Sequence, residues 1–176
     1  MRARLQELLE IARPAPRPRR MLYQAAFGPG LAGGDPSESC CLSVDLEQTE
    51  ERGRVQLVTF ASLDEAAPAR MAAAEGALSE AVVVRLREEM IAVHAAGLRD
   101  VAAEEGAPAL LGEVALGPGA PRRFLVRSPR AQRALRHYRY FLALVDSARA
   151  ALSEPESQAA LERLRASLVE GEPASG

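Results

Sequence analysis

CCLSVDLEQTEERGRVQLVTF, residues 40–60, decides the fold class. Cys40, Leu42, Val44 and Leu46 fall on one face of an extended chain, and Cys41, Ser43 and Asp45 on the other. The polar run 47–53 then turns the chain. RVQLVTF (54–60), rich in β-branched and aromatic residues, runs back along it. Strands joined by a connection this short pair antiparallel, because a parallel pair needs a long crossover.

A second hairpin follows the same plan. ALLGEVAL (109–116) and RRFLVR (122–127) are joined through Gly117, Pro118 and Gly119. MLYQAAF (21–27) adds a first strand ahead of the Gly/Pro-rich loop 28–36. Between the hairpins, Ser79 opens a long helix, with Leu86, Met90, Val93, Gly97 and Val101 as its stripe and Val82, Val83 and Ile91 widening it. Gly106 and Pro108 supply its stop, so the helix is predicted near 79–105. Segment 62–77 is ambiguous: Ser62 and Glu65 fit a capping box, Pro68 interrupts it, and a short helix about 69–75 is expected.

After the second hairpin, Ser128 serves as an N-cap with Pro129 at the first helical position. Ala131, Ala134, Leu135, Tyr138, Phe141, Leu142, Val145, Ala148 and Leu152 then share one face of a helix over 129–152, with Phe141 and Leu142 in the core. Pro155 breaks it. An amphipathic segment over 158–169, with Ala159, Leu161, Leu164 and Leu168, precedes the tail EGEPASG, expected to be disordered. At the other end, residues 2–12 place Leu5, Leu8, Leu9 and Ala12 at helical spacing. Pro14, Pro16 and Pro18 then make an extended, arginine-bearing connector. The expected architecture is α+β: an antiparallel sheet of four or five strands with helices packed on one face, in the order α-βββ-α-ββ-α plus a terminal helix. An α+β domain over 21–152 is flanked by a helix and connector over 1–20 and by the terminal helix and tail over 153–176.

Charge divides the chain more sharply than its net −2 suggests. Residues 35–113 carry sixteen acids against six arginines, whereas 114–145 carry seven arginines and no acid. Lysine is absent, which excludes a Walker-type phosphate loop, a pyridoxal Schiff base and a protein kinase's strand lysine. The two cysteines are neighbours, so no disulfide framework forms, and with two histidines a zinc site is not expected. No signal peptide and no bilayer-long apolar run occurs. A reduced cytoplasmic setting follows, with no membrane role.

Four features are candidate sites. GPGLAG (28–33) spells GxGxxG, but Gly34, Asp35 and Pro36 follow it and cannot open the helix that a dinucleotide site requires, so it reads as a loop. Cys40 and Cys41 should point to opposite faces, one inward and one outward, with no histidine placed to activate either. His94 lies at the edge of an apolar stripe. No catalytic, cofactor-binding or metal-ligating residue emerges, so an enzyme is not expected. The remaining candidate is the arginine run. At about 100° per residue, Arg133, Arg136 and Tyr140 project opposite Tyr138, while Arg122, Arg123 and Arg127 lie on the preceding hairpin. Arginine forks suit carboxylate or phosphate, and Tyr140 suits stacking or a partner's pocket. The alternative is a solvated face whose arginines pair with acids elsewhere in the fold.

The element order resembles that of type III secretion chaperones and of YbjN-like bacterial domains. The resemblance covers roughly residues 2–152 and departs at the proline arm, at 62–77 and beyond 155. It implies an acidic, often dimeric domain and carries over no functional residue. The expected function is a cytosolic protein-interaction module, chaperone-like or adaptor, that binds a partner protein and forms a homodimer. The alternative is nucleic-acid or anion binding through the Arg122–Tyr140 face, which the overall acidity disfavours.

Overall fold

The computed structural model describes residues 1–15, 19–29, 31, 38–61, 70–101, 109–117, 119–127 and 136–169. The elements run α1 (Arg2–Ala12), β1 (Arg20–Phe27), β2 (Ser39–Glu47), β3 (Gly53–Phe60), β4 (Arg70–Ala77), α2 (Glu80–Ala95), β5 (Ala109–Leu116), β6 (Arg122–Arg127), α3 (Arg136–Ala151) and α4 (Pro155–Val169). Six strands make one sheet in the order β4-β3-β2-β1-β5-β6, and every pairing is antiparallel. The α+β antiparallel expectation holds, with six strands in place of four or five.

The additional strand is β4, where a short helix about 69–75 was expected. RMAAAEGA is alanine-rich and has good local helix propensity. A single helical turn fixes several dihedrals for one hydrogen bond, whereas pairing with β3 gains a ladder of them. The contest is settled by pairing with the preceding strand. The strand register also carries a β-bulge: Thr59 faces Ala72 and Phe60 faces Arg70, so Met71 is an extra residue.

Both faces of the sheet are covered, which corrects the single helical face. Tyr23, Ala25, Phe27, Cys40, Leu42, Val44, Leu57 and Phe124 point to α2, α3 and α4. The alternate residues Ala26, Cys41, Val58, Phe60, Ala109 and Leu111 point to α1, whose Leu5, Leu8 and Leu9 are fully buried against them. Adjacent Cys40 and Cys41 are both 0% exposed for this reason; neither reaches solvent. The hairpin expectation survives because period-2 alternation only requires that the faces differ, not that one be wet.

The helices differ from expectation in bounds and rotation. α2 ends at Ala95, well before Gly106 and Pro108, which lie outside the described residues. Gly97 takes φ +64°, the left-handed conformation that closes helices, and the Gly97 amide donates back to the His94 carbonyl (3.1 Å). The expected start of the next helix, Ser128 and Pro129, also lies outside the described residues. From Arg136 onward α3 buries His137, Tyr140, Phe141, Leu144, Val145 and Ala148, while Tyr138 and Leu142 are only half-buried. Phe141 is a core residue as expected, and Leu142 is not fully so. α4 packs onto the same core, with Leu161, Leu164 and Leu168 at 0% exposure. The leucines of the amphipathic terminal segment are therefore consumed inside the chain. The connector residues 16–18 and the tail 170–176 lie outside the described residues.

Candidate functional site

The sheet separates two members of the expected arginine face. Arg122 and Arg123 are consecutive on β6, so they point to opposite sides of the sheet. Arg122 is exposed beside His94 and Phe124, and Arg136 is exposed at the start of α3. Arg127 ends β6, and Arg133 lies outside the described residues. Arg139, on α3, forks onto both carboxylate oxygens of Glu89 (2.8 Å each). Arg149, near the end of α3, pairs with Glu162 at 2.7 Å. The ion-pair alternative accounts for these two and for Arg123.

Tyr140 departs furthest from expectation. It is fully buried, and its hydroxyl lies 2.8 Å from the Gln24 carbonyl oxygen and 2.7 Å from that of Glu113. Its single proton is shared between two facing strands, β1 and β5, whose Gln24 and Glu113 are register partners. The ring packs edge-on to Phe124, Phe141 and Tyr23. Rotating α3 to bury Tyr140 rather than Tyr138 places a hydroxyl where it finds an acceptor, which a buried phenol requires. Burial pushes its pKa well above the usual value of 10. Tyr140 cannot serve a partner or a nucleobase.

On the α1 side, the centre of the polar chemistry is Glu113, which sequence reasoning passed over. Its carboxylate has no exposure and accepts from Arg13 and Arg123, each at 2.5 Å. Glu10 joins the same group, pairing with Arg13 at 3.0 Å and with Arg123. The Arg13 guanidinium bonded to it, followed by Arg123, holds the Glu10 carboxyl below its usual value. Two cations and two anions thus pin the end of α1 to β5 and β6. Beside them Gln24 donates to the Ser43 hydroxyl (2.8 Å), also buried. Its two carboxylates are committed to Arg13 and Arg123, with Glu113 fully buried. The only signal in the sequence was an acid inside an otherwise apolar strand.

The remaining reactive side chains are withdrawn from solvent in whole or in part. Burial pushes the Cys40 thiol up to about 12 and raises Cys41 well above its usual range, so neither is a thiolate at neutral pH. His94 lies edge-on to Tyr23, with ring centroids 6.0 Å apart. Of the GPGLAG loop, Leu31 is buried and its amide donates to the Gly28 carbonyl, while Gly30, Ala32 and Gly33 lie outside the described residues. Among the described residues no three His, Cys, Asp or Glu side chains cluster to hold a metal ion, and no helix is long and apolar enough to cross a membrane.

What the surface offers instead is concave. A hollow of about 290 Å³ lies between the end of α1 and the polar part of β2–β4, lined by Ser43, Arg54, Gln56 and Glu75. A larger groove of about 560 Å³ runs between β4 and the start of α4. Leu57, Met71, Ala72, Ala74, Pro155 and Ala160 give it apolar walls. Glu38, Glu154 and Glu156 stand on its rim with Arg163, and none of the three acids is ion-paired among the described residues. Comparison with known protein families, curated proteins and solved structures finds no match for this chain.

Proposed function

We propose that this chain is a cytosolic, non-catalytic protein-interaction module, chaperone-like or adaptor in kind, that binds an extended segment of a partner protein in the β4–α4 groove. The observation that carries the proposal is the chemistry of that groove: an apolar trough of about 560 Å³ with three unpaired acids on its rim. Apolar side chains of a partner would leave water there, and flanking arginine or lysine residues would meet Glu38, Glu154 and Glu156. Glu113, Arg13, Arg123 and Tyr140 are spent on internal contacts, which fits binding better than chemistry.

The test is affinity capture from the source cell, quantified for four forms of the chain. Ala72→Arg fills the groove with a cation from an exposed strand position, and Glu154→Lys with Glu156→Lys reverses its rim. Arg122→Glu with Arg136→Glu changes two exposed arginines, one on β6 and one on α3. A partner retained by the wild type should fall at least about tenfold in the first two variants and persist in the third. Loss confined to the arginine variant would move the binding site to α3 and β6 and refute the groove.

A further inference from the structure

The two edges of the sheet are finished differently. At β6 the segment following α2 folds over the edge. The Val101 amide donates to the Leu125 carbonyl (2.8 Å), the Leu125 amide donates to the Asp100 carboxylate (2.8 Å), and Val101 bridges Val126. At β4, nothing among the described residues pairs with the outer side of the strand. An open edge presents a row of unpaired N–H and C=O groups, and proteins commonly blunt one with Lys, Pro or a very short strand. RMAAAEGA has eight residues, no Lys and no Pro, and three alanines at its centre.

The register adds symmetry. Phe60, Val58 and Gln56 are successive same-face positions of β3, and they stand opposite Arg70, Ala73 and Glu75. The bulge at Met71 is what brings Arg70 onto that face. Arg70 and Glu75 therefore lie two ladder steps either side of Ala73, on the same side of the sheet. Neither makes an ion pair within the chain among the described residues; Glu75 accepts only from the Gln56 amide (2.7 Å).

We propose that β4 pairs antiparallel with β4 of a second copy about a two-fold axis at Ala73, joining two six-stranded sheets into one. That operation sets Arg70 opposite Glu75 of the partner subunit, and Glu75 opposite Arg70 of the partner subunit. Ala72 meets Ala74 of the partner subunit on the helical face. Directly opposed side chains in an antiparallel pair have Cβ atoms about 4.5–5.5 Å apart, within reach of an ion pair. The interface is isologous, so each contact is made twice. This inference goes beyond the interaction-module reading and does not depend on it. The two surfaces meet at Ala72, Ala73 and Ala74, which also line the groove, so the second copy would cover part of the groove's β4 wall.

Light scattering at tens of micromolar, with Arg70→Glu, Glu75→Arg and an equal mixture of the two, tests the pairing. The wild type should have twice the 18.8 kDa chain mass. Each single variant sets like charges opposite each other at two symmetry-related places. Its dimer should weaken at least about tenfold, more so at low salt. The mixture restores both opposite-charge pairs, so it should form the heterodimer and no homodimer. Both positions are exposed, so circular dichroism and melting of the monomers should match the wild type. A monomeric wild type would leave the edge to another occupant and overturn the proposal. So would single variants that remain dimeric, or folded single variants that do not dimerise when mixed.

Discussion

Tyr140 and His94 show what single side chains contribute here. Tyr140 ties α3 to two neighbouring strands through one proton, at the cost of a phenol that never ionises near neutral pH. His94 sits one layer away, with its Nε2 buried and unbonded among the described residues. Burial, and secondly the positive charge of Arg122, depress its pKa below the ordinary 6.5. The sign follows directly. On acidification the unfolded chain takes up a proton on His94 before the folded chain does, so stability falls as pH drops below about 6.5 toward the depressed value. The melting temperature is therefore expected to decline between about pH 7 and about pH 5, and His94→Gln to flatten that decline. An unchanged slope in the variant would show that His94 is as easily protonated in the folded chain as in the unfolded one.

Among the elements, the β5–β6 hairpin and the α3 helix meet through the absence of a side chain. Gly112 faces Phe124 across the hairpin, and a Cβ built on Gly112 would lie 2.1 Å from the Phe124 ring. That ring cannot simply swing away, because His137, Tyr140 and Phe141 surround it at centroid distances of 5.1 to 5.8 Å. Gly112→Ala should destabilise by about 1–3 kcal/mol through overpacking, read from chemical denaturation. The near-ultraviolet circular dichroism of the aromatic cluster should change with it. Gly76 plays a related part at the other end of the sheet, where a Cβ would meet the Ala151 carbonyl at 2.5 Å, so its bareness lets α3 close over β4. Both glycines are needed for close approach.

At the scale of the whole molecule, the sheet divides the interior into two cores, one under α1 and one under α2, α3 and α4. They share a backbone ladder, and the Arg13–Glu113–Arg123 network clamps the smaller one shut, so they should melt together. Leu8→Ala on one side and Leu161→Ala on the other are each expected to cost about 2–5 kcal/mol in a single transition. A two-step melt for Leu8→Ala would mean that α1 opens as a separate unit. The alternation at 40–46, the turn chemistry at 47–53 and the helical spacing of 2–12 and 158–169 were legible in the sequence alone. Each expresses a period set by backbone geometry within a few residues. They were enough for an antiparallel α+β domain. Non-local neighbours decided the rest. The alanine run 70–77 became a strand because β3 offered it a ladder. Both cysteines were buried because α1 covered the second face. Tyr140 turned inward because two carbonyls waited there; the pleat parted Arg122 from Arg123, and Arg123 and Arg139 were matched to acids of other elements. Local periodicity sets which way a side chain can point; only the assembled sheet sets what it meets.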